Sequence, residues 1–131
     1  MAHRFDLRVY YEDTDLAGIV YYANYLKFIE RARSEWVRTL GIDQTALKQD
    51  EGLVFAVRRV EADYLQAAKF DDLLTVETAL LRLSGARIVL RQTVQCGESM
   101  IFDAEVTLVV LREDGRPGRL SDAVRSALTS G

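Results

Sequence analysis

The sequence predicts an α+β fold in which one antiparallel sheet covers one long amphipathic helix. Three observations carry this. The apolar period changes from two to three-or-four over residues 22–40 and returns to two afterwards. The last three strand-like runs are joined through Ser84-Gly85 and Gly97-Glu98, connections short enough to make them antiparallel hairpins. Strands also precede and follow the one long helical segment instead of alternating with helices, and such a helix must bury its apolar stripe against the sheet. A chain of 131 residues fits one domain, residues 1–131. No internal repeat or low-complexity tract divides it, and its one proline, Pro117, lies in the turn Asp114-Gly115-Arg116-Pro117-Gly118.

Taken in order, residues 3–11 alternate roughly, with Phe5, Leu7, Val9 and Tyr11 on one side, and are expected to form a strand. Residues 12–18 are polar and end in glycine, so they are expected to form a loop. In the helical segment Tyr25, Phe28, Ile29, Ala32, Trp36 and Leu40 share one face, with Lys27, Arg31, Arg33, Glu35 and Arg38 elsewhere. Nineteen residues at about 1.5 Å each predict a helix of about 28 Å, and Gly41 is a suitable stop. Residues 43–48 suggest a short helical turn. Residues 53–65 predict a long strand, bent or bulged where the apolar register changes near Arg58-Arg59. Further strands are expected over 73–83, 87–96 and 100–111. The third of these places Met100, Phe102, Ala104, Val106, Leu108 and Val110 together, and the second aligns Ile88, Leu90, Val94 and Cys96. A last helix from about Ser121 carries Val124, Ala127 and Leu128 at helical spacing.

Composition narrows the function. Twenty acidic residues outnumber seventeen Lys and Arg, giving a net charge of −3, which argues against a nucleic-acid partner. One cysteine allows no intrachain disulfide, and one cysteine with one histidine falls short of a structural zinc site, so no metal is expected. The start of the chain carries no apolar signal segment and no stretch approaches the roughly 18 apolar residues of a membrane span. A reducing compartment, the cytoplasm, is the expectation.

The chemistry-bearing stretch is residues 10–25, Tyr-Tyr-Glu-Asp-Thr-Asp-Leu-Ala-Gly-Ile-Val-Tyr-Tyr-Ala-Asn-Tyr. It places acids in a loop that leads into a helix. One reading is local: Asp13 and Asp15 stabilise the loop and the positive end of the helix dipole. The other is catalytic. Backbone N–H groups at a helix start can hold a developing oxyanion, and a carboxylate beside the same carbonyl can attack it or deprotonate a water. That arrangement needs neither a metal nor a redox cofactor, and a single histidine at the N-terminus makes a Ser-His-Asp triad hard to assemble.

The run Tyr11-x-x-x-Asp15-x-x-Gly18-x-Val20-Tyr21-Tyr22-x-x-Tyr25, followed by Phe28-x-Glu30-x-Ala32-Arg33, resembles the 4-hydroxybenzoyl-CoA thioesterase family of hot-dog proteins. Within it the likeness is to the bacterial acyl-CoA thioesterases associated with the Tol–Pal envelope genes. It extends over nearly the whole chain, including Leu53-Val54-Phe55-Ala56-Val57-Arg58-Arg59. The resemblance implies a five-stranded antiparallel sheet wrapped around the long helix, a homodimer or homotetramer with sites at the dimer interface, and hydrolysis of an acyl-CoA without a cofactor. It puts the catalytic carboxylate at Asp15, as nucleophile or general base. It puts the oxyanion donor at the Tyr22 N–H and substrate contacts at Tyr11, Gly18 and Val20. Many Tol–Pal-type relatives carry histidine where this chain has Tyr22, whereas the hydroxybenzoyl type carries tyrosine. A backbone role survives that change, but a side-chain base does not, because a phenol is a poor base at neutral pH.

The remaining polar residues have structural readings. Asp13 is expected to hydrogen-bond within the loop, Glu30 to make a polar contact or ion pair on the helix, Cys96 to be a small buried thiol and Trp36 to belong to the core stripe. Arg58, Arg59, Arg82, Arg87 and Arg91 either coat the strands or supply one or two contacts to coenzyme A phosphates. Two other functions remain open at this point. A non-catalytic subunit could bind an acyl thioester carried by coenzyme A or acyl carrier protein. A hydratase of the same fold would need an Asp/His pair that this chain lacks.

Overall fold

The computed structural model describes residues 2–130. Strand β1 (His3–Arg8) leads through a 3₁₀ turn, Tyr11–Asp13, and a loop to helix α1 (Asn24–Thr39). Helix α2 (Gln44–Ala46) runs on as a π-helical turn, Leu47–Glu51, and then come β2 (Leu53–Tyr64), β3 (Leu73–Ser84), β4 (Arg87–Cys96), β5 (Ser99–Arg112) and helix α3 (Asp122–Ser130). The five strands form one antiparallel sheet in the order β1-β3-β4-β5-β2. A sheet of this order with its one long helix against it is the antiparallel layout that the sequence pattern predicted and the hot-dog arrangement that the resemblance implied.

Helix α1 buries Tyr25, Phe28, Ile29, Ala32 and Trp36, five of the six expected stripe residues, together with Val37. Burying Phe28, Ile29 or Val37 contributes about 1.5–3 kcal/mol each, and Ala32 less. Leu40 is only half-buried because α1 ends at Thr39 and Leu40 already belongs to the turn. Gly41 stops the helix with φ +80°, a left-handed conformation that costs any residue with a Cβ. The predicted helical turn over 43–48 exists and is longer than expected, capped by Asp43 Oδ1 accepting from the Ala46 N–H at 3.1 Å.

Two boundaries differ from expectation. The first strand was expected to reach Tyr11, but β1 ends at Arg8 and Tyr11 is 82% exposed. Asp13 causes this: its Oδ2 accepts from the Tyr10 N–H at 2.8 Å, folding the chain into the 3₁₀ turn. Val9 stays fully buried, its N–H donating to the Asp72 carbonyl at 2.9 Å and its own carbonyl accepting from Asp71. The helix begins at Asn24 and not at Tyr22, leaving Tyr22 and Ala23 in a turn. The bulge expected near Arg58-Arg59 is present between Val57 and Arg59, and two unexpected register shifts lie between Leu80 and Arg82 and between Val94 and Gln95.

A buried polar cluster lies between α1 and β4, in the row of Ile88, Leu90 and Val94. Gln92, fully buried, donates from Nε2 to the Ile29 carbonyl and to Thr78 Oγ1, both at 2.9 Å, while its Oε1 accepts from Arg33 Nη1 at 2.9 Å. Burial lowers the Arg33 pKa, partly offset by Glu30. Glu30 itself is exposed and, among the described residues, within ion-pair distance of no base. Trp36 is buried as expected, and Cys96 is half-buried.

The turn that holds Pro117 is sewn to the sheet by Gly118, whose N–H donates to the Val110 carbonyl at 2.8 Å. A Cβ on Gly118 would run into Leu53 Cδ2 and stand 3.2 Å from Arg112 Cγ. Gly118→Ala is therefore expected to cost about 1–3 kcal/mol, read as a lower denaturant midpoint at unchanged m-value.

Candidate active site

Residues 14–20 form a small hairpin. Thr14 bridges Val20, the Asp15 N–H donates to the Ile19 carbonyl at 2.9 Å, and the Gly18 N–H returns to the Asp15 carbonyl at 3.0 Å. The reversal needs φ +80° at Gly18, where a Cβ would meet nothing within 4 Å but the backbone itself disfavours one. Gly18→Ala is thus expected to cost about 1 kcal/mol and to reduce turnover by more than its small loss of stability explains. Melting and rate measurements on the one variant test this.

At the tip, Asp15 is exposed. Its Oδ1 accepts from the Ala17 N–H at 2.9 Å, an Asx-type brace that orients the carboxylate and leaves the second oxygen open. The hairpin is tied to the chain between β2 and β3. Ile19 bridges Lys69, and the Val20 N–H donates to the Ala68 carbonyl at 2.8 Å. In return the Ala68 N–H donates to Tyr25 Oη at 3.1 Å, from the first turn of α1. Asp13 joins loop and helix: its carbonyl accepts from the Tyr21 N–H at 3.0 Å and from Asn24 Nδ2 at 2.9 Å. Asp13 is thus the loop hydrogen-bonding residue the sequence suggested.

The turn before α1 supplies donors. The Tyr21 carbonyl accepts from the Asn24 N–H at 2.8 Å, whereas among the described residues the N–H groups of Tyr22 and Ala23 have no protein acceptor. Around them stand exposed aromatic rings. Tyr21 and Tyr22 lie 4.9 Å apart, and Tyr11 meets Phe70 edge-on at 6.1 Å. The Tyr21 hydroxyl has a raised pKa, first through the neighbouring Tyr22 phenol and least through the Asp15 carboxylate. An oriented carboxylate, open backbone donors and an apolar rim are the parts that acyl transfer to water requires.

The sequence profile of the thioesterase superfamily matches residues 17–102. The chain belongs to this superfamily. It is 47% identical over 102 residues, covering 78% of this chain and 75% of the relative, to the acyl-CoA thioesterase YbgC of Haemophilus influenzae. A crystal structure of a probable thioesterase from Bartonella henselae superposes with a TM-score of 0.88 at 44% identity, covering 92% of this chain and all of that one. A 4-hydroxybenzoyl-CoA thioesterase mutant, solved with 4-hydroxybenzoyl-CoA, matches with a TM-score of 0.89 at 22% identity over 97% of this chain and 98% of that one, a likeness of fold. This thioesterase-superfamily chain is a thioester hydrolase.

The site residues named from the sequence are brought together unevenly. Asp15, Gly18 and Tyr22 belong to one loop and turn, and Tyr11 stands nearby on the Phe70 side. Val20, expected to touch substrate, is only 4% exposed and its N–H is committed to Ala68, so it anchors the loop. Three of the five candidate arginines are engaged on the sheet surface: Arg91 with Asp103 through two bonds at 2.9 and 3.1 Å, Arg82 with Glu105 at 3.3 Å, and Arg59 with Glu61. Arg58 and Arg87 have no such acid among the described residues. Sequence reasoning did not single out Asn24, Tyr64, Ala68 or Lys69. The contacts of Tyr64, Ala68 and Lys69 to the loop and helix start span 42 to 50 residues, too far apart for any local pattern to show, and that of Asn24 to Asp13 spans 11.

Proposed function

We propose that this thioesterase hydrolyses a small or medium acyl-CoA to the free acid and coenzyme A, with Asp15 as the carboxylate that drives the attack. The braced carboxylate at the hairpin tip, set before a turn with two open backbone N–H groups, carries the reading. As general base, Asp15 takes a proton from water as the water oxygen bonds to the thioester carbonyl carbon. As nucleophile, it forms a mixed anhydride that water then cleaves. In both routes the electron pair moves onto the carbonyl oxygen, faced by the Tyr22 N–H, and returns as the C–S bond breaks and the thiolate leaves. Tyr11, Gly18 and the exposed aromatic rings shape the entrance for the acyl group. Val20 holds the loop in place.

The reading includes a homodimer or a pair of dimers. Among the described residues β2 pairs on one side only, with β5. Helix α1 packs mainly over β1, β3 and β4, which leaves the middle of the helix-facing side of β2 poorly covered. There Val57 and Val60 are 48% and 38% exposed, along an open groove of about 390 Å³ lined also by Leu26, Ile29, Phe55 and Leu108. A long, apolar, unpaired edge is a liability in a monomer and fits pairing with a second copy. No helix of the described residues is long and apolar enough to cross a membrane. A single domain over residues 1–131, acting in the cytoplasm and tied to envelope metabolism through Tol–Pal, completes the proposal.

Thiol release from short, long and aromatic acyl-CoAs tests it. Release by the wild type supports the reaction, and the best substrate defines the acyl pocket. No release from coenzyme A thioesters together with release from acyl carrier protein would move the carrier. No release from either would favour the binding subunit.

A further inference from the structure

The tyrosine that ends β2 reaches the turn before α1. Tyr64 donates its hydroxyl to the Tyr22 carbonyl at 3.2 Å. Its ring is held edge-on by Tyr25, Phe102 and Tyr22, with centroids 5.7, 5.0 and 6.1 Å away. The Tyr22 carbonyl lies just outside the helix, whose N-cap is Ala23, so the helical ladder has no donor for it. The Leu26 N–H, one of the first-turn donors, turns to the Ala23 carbonyl at 3.2 Å, and Tyr64 supplies the donor to Tyr22.

The consequence lies at the other end of the same peptide unit. A trans peptide is planar, with its C=O and N–H pointing in opposite directions, so pinning the Tyr22 oxygen aims the Ala23 N–H. A hydrogen bond accepted by the carbonyl also polarises that N–H and strengthens it as a donor. The Ala23 N–H is one of the two that have no protein acceptor among the described residues. We propose that Tyr64 is a positioning residue of the hydrolase: it holds and polarises the Tyr22–Ala23 peptide so that the Ala23 N–H, beside that of Tyr22, faces the developing oxyanion. The inference rests on the reading of Asp15 and the helix start as the reaction centre. Burial, and then the neighbouring Tyr22 phenol, raise the Tyr64 pKa, which keeps its hydroxyl a donor throughout the neutral range.

Tyr64→Phe removes the hydroxyl and keeps every ring contact, so the fold is expected to persist with an unchanged melting point. Steady-state thiol release from the best acyl-CoA should show kcat lowered about ten-fold with KM within two-fold of wild type. A spectroscopic readout separates positioning from packing. With Asp15→Asn holding uncleaved acyl-CoA, isotope-edited infrared difference spectra should show the thioester carbonyl stretch lowered from its value in water. In Asp15→Asn/Tyr64→Phe it should move back toward that value. A Tyr64→Phe enzyme with wild-type kcat, or a carbonyl stretch identical in the two Asp15→Asn proteins, would overturn the role of Tyr64 while leaving Asp15 untouched. A wild type that releases no thiol would overturn the underlying reaction instead, and Tyr64 with it.

Discussion

Asp15→Asn should lower acyl-CoA turnover by about 10²–10⁴-fold, the range expected when a positioned acid–base group is lost, and by more if Asp15 is the nucleophile. The protein should remain folded. Asp15 is exposed, and an asparagine carbonyl can still accept from the Ala17 N–H that now braces Oδ1, so the hairpin keeps its shape. Binding should survive as well, because the aromatic rim and the open N–H groups are intact. Thiol-release kinetics beside a thermal melt distinguish these effects: low kcat with an unchanged melting point is the expected pair. Full activity in this variant would remove Asp15 from the mechanism and return it to the local reading, in which it only caps a loop. Trapping bears on the route. An anhydride that water opens at the Asp15 carbonyl carbon puts ¹⁸O into the protein when cleavage is run in H₂¹⁸O over many turnovers, whereas a general base, or an anhydride opened at the acyl carbon, puts the isotope into the product acid and none into the carboxylate.

The fold and the centre of the site were legible to different depths, for physical reasons. The stripe on α1 could be read because a helix that must bury one face repeats its apolar residues at a fixed spacing, and five of six positions are buried. The hairpins could be read because short glycine-containing connections permit little else. The loop carrying Asp15 was legible as a motif, while its shape was not. Nothing in the alternation of residues 3–11 shows that the Asp13 carboxylate turns the chain at Tyr10 and lifts Tyr11 out of the sheet. Gln92 interrupts an apolar row with a polar side chain whose three partners lie on α1 and β3. Its burial depends on contacts 14 to 63 residues away in sequence. Tyr64 is the clearest case. As the last residue of a strand it reads as ordinary β-forming material, and its hydroxyl finds its acceptor in a carbonyl 42 residues earlier, just ahead of the helix.

The uncovered strand yields the second large effect. Alternation along β2 marks Phe55, Val57, Val60 and Tyr64 as facing inward, and in register they stand beside Val110, Leu108, Val106 and Phe102 of β5, all of which are buried. Yet α1 reaches only the Tyr64 end of β2, so Val57 and Val60 face the core side across an open groove. A second copy related by a two-fold axis would bring β2 against β2 antiparallel, continue the hydrogen-bonded sheet across the boundary and cover the groove beside Leu26 and Phe55. Charges placed there should be tolerated by the monomer and not by the pair. Val57→Glu/Val60→Glu would set four carboxylates at a desolvated boundary, a cost of several kcal/mol. Light scattering after gel filtration should give about twice 14.8 kDa or a multiple of it for the wild type and about 14.8 kDa for the variant, with the same far-ultraviolet circular dichroism. Turnover should fall with the mass, because Tyr64 ends this strand and its hydroxyl meets the turn that faces the substrate. A wild type that is fully active as a monomer, or a variant that keeps the wild-type mass, would mean that β2 is covered by something other than its own copy.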